Sequence, residues 1–257
     1  RQQQAGNYQN QIFQMIEGEK LGSFWGYTFA GIWQEDEVNA PFVDANGQTN
    51  GKTNGEVYKV KPGNSKYVDI NKDGVYNDAD QGIIGCGQPT FNWGWNNTFN
   101  YKNFDFSFFV VGFHGFDIYN ATHQMGYNLI KSQQVAGVTP MRELLNRWTP
   151  TNTNTNIPGF VNGGTENKDF FSTRFVENGS FIKMKSITLG YTLPETACRA
   201  LGITNLRVYA SVQNPFHITN YSGLDPEATM GSPLVQGVDW GSYPNSRNYL
   251  IGLNFSF

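Results

Sequence analysis

Between Thr90 and Tyr101 the chain alternates between rings and small polar residues. Phe91, Trp93, Trp95, Phe99 and Tyr101 share one parity, broken only by Asn97; Thr90, Asn92, Gly94, Asn96, Thr98 and Asn100 share the other. Successive side chains of a strand point to opposite faces. The pattern therefore specifies a strand with one aromatic face and one small, polar face. After the two-residue step Lys102-Asn103 the alternation resumes with Phe104, Phe106, Phe108 and Val110 against Asp105 and Ser107.

The same period recurs along the chain. Leu206, Val208, Ala210 and Val212 alternate with Arg207, Tyr209, Ser211 and Gln213. Tyr249, Ile251, Leu253, Phe255 and Phe257 alternate with Leu250, Gly252, Asn254 and Ser256. Leu21, Trp25, Tyr27, Phe29 and Trp33 line one face of 21–33, and a weaker strand covers 8–16. Ile187, Leu189, Tyr191 and Leu193 do the same for 180–193, but Lys183 and Lys185 fall on their parity. Two explanations stand: the lysines snorkel at an interface, or a bulge flips the parity.

About seven strands result, and their connections alternate short and long. The long ones, 34–89, 120–179 and 215–245, all fall on one predicted side. Structureless loops beyond about 15 residues are uncommon in a compact soluble domain. An up-and-down transmembrane β-barrel has this asymmetry, with tight periplasmic turns, long extracellular loops, an apolar outer face with aromatic girdles, and a wet interior. The expected fold is thus all-β, a portion of an antiparallel barrel. The alternative is a soluble, secreted β-sandwich whose aromatic face is its core, stabilised by calcium and binding glycans through exposed rings.

Composition narrows the classes. Charged residues make up 15% and the net charge is −3, so no positive excess exists to neutralise phosphates and nucleic acid is not expected as a partner. The longest apolar stretch, Phe106 to Phe113, is broken by Ser107 and Gly112, far short of the about 20 residues of a spanning helix. With only Cys86 and Cys198 there is no disulfide framework; the two are free thiols or one bridge, and free thiols are the favoured expectation.

Several motifs together carry a family resemblance. They are Val68-Asp69-Ile70-Asn71-Lys72-Asp73-Gly74, Ile84-Gly85, Pro89, Tyr101-Lys102-Asn103-Phe104-Asp105 and Arg147-Trp148-Thr149-Pro150. Gly179-Ser180-Phe181-Ile182-Lys183, Leu189-Gly190-Tyr191, Gln213-Asn214-Pro215, Gly223-Leu224-Asp225-Pro226-Glu227, Tyr243-Pro244 and the terminal Phe257 follow in order. From about Leu21 onward the chain resembles the SusC/RagA family of TonB-dependent outer-membrane transporters of Bacteroidetes. The resemblance implies that 1–257 is the C-terminal portion of a barrel of about 22 strands, with the N-terminal plug and remaining strands outside this chain. An open sheet of about seven strands would leave edges that lipid cannot satisfy. It also implies outer-membrane location, import of oligosaccharide or peptide, a SusD-like surface lipoprotein as lid, energy from the TonB complex through the absent N-terminal region, and dimers of transporter–lipoprotein pairs.

Asp69, Asn71, Asp73, Asn77 and Asp80 stand at positions 1, 3, 5, 9 and 12 of a loop with Gly74 at 6 and the Val75 carbonyl at 7. This spacing wraps oxygens around calcium. Asp replaces the usual Glu at position 12 and the flanking helices are missing, so a metal-free loop of Asx turns is the equal alternative. A bound ion would be structural. In Tyr249, Ile251, Leu253, Phe255 and Phe257 we read the aromatic-ended closing strand of bacterial barrels, an assembly signal. Asp225 and Glu227, split by Pro226, read as a structural turn, and His114, His123 and His217 lack metal spacing. No nucleophile or phosphate motif occurs, so no enzyme and no organic cofactor are expected. The rings Tyr119, Tyr127, Phe160, Phe170, Phe171, Trp240 and Tyr243 fall in long connections, where they pack the loops or stack on ligand.

Overall fold

The computed structural model describes residues 2–3, 12–127, 141–159, 171–200, 202–229 and 236–257. Its largest unit is a five-stranded antiparallel sheet. The strands are β1 (Phe91–Tyr101), β2 (Phe104–His114), β3 (Phe181–Thr192), β4 (Asn205–Thr219) and β5 (Asn248–Ser256). They lie side by side in chain order, an up-and-down meander. β1 and β2 join through Lys102, whose φ of 53° makes the tight turn, and β3 and β4 join through a short helix, Glu195–Ala200. The connections from β2 to β3 and from β4 to β5 are long and leave from the opposite end.

Register makes each face continuous. One row runs Phe99, Phe106, Leu189, Ala210, Ile251; the next runs Tyr101, Phe104, Tyr191, Val208, Leu253. The row between them on the other face is Asn100, Asp105, Gly190, Tyr209, Gly252. Phe104 packs on Tyr191 at 4.7 Å between ring centres, and Trp95 meets Phe108 edge-on at 5.0 Å, cross-strand pairs that help fix the register.

Two strands run further than the alternation predicts. β2 continues to His114 because Val111 and Phe113 enter a core with Phe116, Ile118, Phe181 and Tyr221. β4 continues through Pro215, beyond its last partner on β5, Asn248 opposite Gln213. A proline is tolerated there because that edge has no ladder to lose.

The expected wall strand 21–33 is not one. It divides into Ser23–Tyr27, paired with Gln81–Cys86, and Phe29–Ile32, paired with Ser65–Tyr67. Its rings Phe24, Tyr27 and Trp33 are buried among the long connections. Of the expected strand 8–16, only Gln14–Met15 is seen, against Gln2–Gln3, and 8–11 lie outside the described residues. Among the described residues the wall therefore holds five strands of the seven expected.

The described parts of the long connections fold into a cap. Ile12, Phe13, Phe24, Tyr119, Ala121 and Phe175 form its core, with Ile84, Phe171, Val176, Val238 and Trp240 packed around them. Asp117–Asn120 pairs antiparallel with Val176–Asn178 and parallel with Val238–Asp239. Cys86 N–H donates to Asp117 Oδ2 (3.0 Å) and Gln236 Nε2 to the Gly87 carbonyl (2.9 Å). Cys86 and Cys198 are free thiols. No described helix is long and apolar enough to cross a membrane.

Candidate functional site: a two-faced wall and its cap

The apolar face of the sheet is bare. Phe99, Tyr101, Phe104, Leu189, Ile251, Leu253 and Phe255 are all at least half exposed, and Ile251 reaches 81%. Among the described residues no second sheet covers them, as a sandwich core would require. Outward positions of β4 run from Leu206 to Ile218. At about 3.3 Å per residue and the usual tilt of about 40°, that run rises roughly 30 Å, enough for a lipid-facing band about 25 Å tall.

The opposite face is polar towards the end with the tight turns. Arg207 donates from Nε to Asp105 Oδ1 (2.8 Å) and from Nη2 to Asp105 Oδ2 (2.5 Å). The pair crosses over Gly190, where any Cβ would overlap both side chains. Thr188 and Ser211 share a hydrogen bond of 2.8 Å one row on. Gly252 leaves room for the Tyr209 ring in the same way. Leu250 and Phe109 share this face, so it is mixed near its middle.

Towards the cap the register of β3 shifts between Met184 and Ser186, on both of its neighbours. The odd residue is Lys185, and the shift turns Lys183 onto the inner face opposite Val111 and His217. The bulge is thus the explanation for the two misplaced lysines. Lys183, with its side chain 2% exposed, donates to Asp225 Oδ2 (2.8 Å) and Glu227 Oε2 (2.7 Å). Lys185 pairs with the other Glu227 oxygen. Burial pushes both carboxyls up, but the Lys183 ammonium and the hydrogen bonds around them hold Asp225 and Glu227 below the usual carboxylate range. The sequence reading found the Asp225–Glu227 turn but not its partner. The signal was present: two lysines on an apolar parity.

In the loop 69–80 the expected ligand residues bond the backbone and one another. Asp69 Oδ2 accepts from Gly74 N–H (2.9 Å) and Tyr58 O–H (2.8 Å). Asn71 Oδ1 accepts from Asp73 N–H, Asp73 Oδ1 from Val75 N–H, and Asn77 Oδ1 from Ala79 N–H. Asn77 Nδ2 donates to Asp73 Oδ2 and to the Val75 carbonyl. Asp80, 2% exposed, accepts from Ile70 and Asn77 N–H. Asn71, Asp73, Val75 and Asn77 are thereby drawn together, whereas Asp69 and Asp80 are each turned to a backbone amide. Among the described residues no three His, Cys, Asp or Glu side chains converge as a metal site. Among the described residues Asp69 Oδ1 finds no hydrogen-bond partner, and it is buried. Burial and the bond to Asp69 raise the Tyr58 phenol, and burial takes the stacked Tyr76 up to about 12, so both keep their protons.

The ring-bearing positions of the connections mostly serve packing. Tyr119 is fully buried, and Phe171, Tyr127 and Trp240 pack on the same core. Tyr243 is 90% exposed. Phe160 and Phe170 lie outside the described residues. His123 stands 3.6 Å from Glu177, and His114 accepts from Trp93 Nε1.

No family model matches the chain. Individual relatives do. It is 34% identical over 255 residues to TonB-dependent receptor P3 of Formosa agariphila, covering 97% of this chain and 23% of that protein. It is 30% identical over 198 residues to TonB-dependent receptor SusC of Bacteroides thetaiotaomicron, covering 77% of this chain and 18% of that one. The solved RagAB peptide transporter superposes with a TM-score of 0.66 at 22% identity, over 96% of this chain and 24% of its own. The chain thus spans about a quarter of the length of the proteins it matches. A two-faced meander with an uncovered apolar side, a polar inner side and a loop cap at one end is what a section of such a barrel requires, and the chain belongs to the SusC/RagA family of TonB-dependent receptors of the outer membrane.

Proposed function

We propose that this chain is the C-terminal portion of the wall of a TonB-dependent importer. The importer takes up oligosaccharide or peptide across the outer membrane. A SusD-like lipoprotein closes over the cap, and the pairs associate as dimers. The TonB complex acts through a plug carried elsewhere in the polypeptide, so this chain supplies wall and cap and performs no chemistry of its own. The observation that carries the reading is the sheet itself: rows of exposed rings and aliphatics on one side, the Asp105–Arg207 pair and Thr188–Ser211 on the other. A water-filled lumen needs the second and hydrocarbon the first. The RagAB relative carries peptide, which supports peptide among the two cargo classes.

The test is deletion and complementation of the full-length gene, with uptake of labelled peptides and oligosaccharides and co-purification of a surface lipoprotein. Unchanged growth on every candidate nutrient counts against import. A secreted β-sandwich predicts instead that residues 1–257 alone are monomeric and melt cooperatively without detergent.

We also propose that the loop 69–80 takes up calcium as a structural ion. The buried, unpartnered Asp69 Oδ1 favours this reading, since a lone carboxylate oxygen out of water is costly unless something positive meets it. Calcium titration of the full-length receptor in detergent should show one site that Asp69→Asn removes; no heat of binding in the wild type sinks it. Finally, Tyr249, Ile251, Leu253, Phe255 and Phe257 are proposed to act as the assembly signal, read by loss of membrane insertion when Phe257 is replaced by Ser.

A further inference from the structure

The β4–β5 connection leaves the wall after Thr219 and returns at Asn248. Both of its ends meet at the two carboxylates that hold one lysine. Asp225 and Glu227 come from its outgoing part and hold Lys183 at 2.8 and 2.7 Å. Asn245 comes from its returning part: its N–H donates to Asp225 Oδ2 (3.1 Å) and its Nδ2 to Glu227 Oε2 (2.8 Å). Glu227 N–H closes the set on Asp225 Oδ1 (3.1 Å). Every carboxylate oxygen is used, and two ammonium groups balance two carboxylates. Tyr221 adds a buried bond from its hydroxyl to Asp239 Oδ2 (2.5 Å) within the same connection.

The connection itself shuts water away from Lys183, whose side chain is 2% exposed. Swinging it away would break the bonds to Asp225 and Glu227 and leave the ammonium, opposite Val111 on the inner face, to be rehydrated. Ion pairs held out of water are screened less than exposed ones, so this set holds the connection more firmly than a surface pair would. We propose that Lys183 is a latch that fixes the described parts of this connection around Asp225, Glu227 and Asn245 to the inner face of β3, so that they form a stationary part of the wall.

The proposal rests on the reading of the cap as extracellular, and the experiment separates the two. The full-length receptor, in intact cells, carries an epitope at the exposed hairpin tip Asn46-Gly47, and proteinase K is added outside. Cutting of the epitope reports the sidedness. Cutting within 220–247, where Leu224 is 69% exposed, reports the latch. Lys183→Met is expected to speed cutting in 220–247 at least 10-fold while the folded barrel still migrates as a compact, heat-modifiable band; Lys183→Arg is expected to restore most of the protection. Unchanged cutting in a folded Lys183→Met receptor overturns the latch. If Lys183→Met does not reach the membrane, Glu227→Gln, which keeps shape and an acceptor, is read instead: faster cutting supports the latch and wild-type protection overturns it. An epitope cut only after permeabilisation overturns the sidedness, and the latch is then read from the inner side.

Discussion

Arg207 grips Asp105 with two parallel hydrogen bonds across the one strand that separates them, and Gly190 of that strand lies directly beneath. The guanidinium fork and the carboxylate are matched in geometry. The pair is about a quarter exposed on each side, so its net worth is modest, about 1 kcal/mol. Gly190→Ala is expected to cost more than removing the pair, because the new Cβ displaces both side chains and strains the strand. Heat-modifiability of the full-length receptor on gels should show Gly190→Ala melting below Asp105→Asn. Equal midpoints would mean the inner face can rearrange around a methyl group.

The two faces of the wall should respond oppositely to charge. Leu189→Arg places a guanidinium among Phe106, Phe99 and Ile251, where lipid contact near the midplane costs about 2–4 kcal/mol. Thr188→Arg, one residue away, points to the polar side. The first is expected to lower the amount of inserted receptor several-fold and the second to leave it near wild type, read by outer-membrane fractionation.

Acid should loosen the cap from the wall. Asp225 and Glu227 are held below their ordinary values, so their stabilisation is present above the usual carboxylate range, about pH 4, and is lost as pH falls through the lowered folded values. Protease protection of 220–247 is expected to be flat from pH 7 to about 5 and to fall below about 4. Asp225→Asn should flatten part of that fall.

Gly74 has two reasons to be glycine. Its φ is +82°, and a Cβ would overlap the Val57 side chain of the neighbouring helix Asn54–Tyr58. Gly74→Ala is expected to unsettle the 69–80 loop by about 1–3 kcal/mol, seen as faster hydrogen exchange at Ile70 and Asn77, whose amides depend on Asp80. The wall strands should exchange as in the wild type.

Alternation marked the five wall strands, which residues share a face on either side of the Lys185 bulge, and the short turn at Lys102-Asn103, because a two-residue period is a local property that survives without knowledge of neighbours; that the ring-bearing face is left uncovered was decided by the fold. The same period misplaced 21–33. Tyr27 and Trp33, both on the expected face, need a dry environment, and a cap core and a lipid bilayer are equally dry, so nothing in their spacing tells one from the other. Lys183 and Lys185 announced an irregularity, yet only the fold brought Asp225, Glu227 and Asn245 to them from some 40 or more residues away. The loop 69–80 was legible as an oxygen-rich turn; that Asp69 and Asp80 would each turn to backbone amides depended on Tyr58 and on the closure of the whole segment. Pairing of distant charges is decided by packing, and packing is what a one-dimensional pattern does not contain.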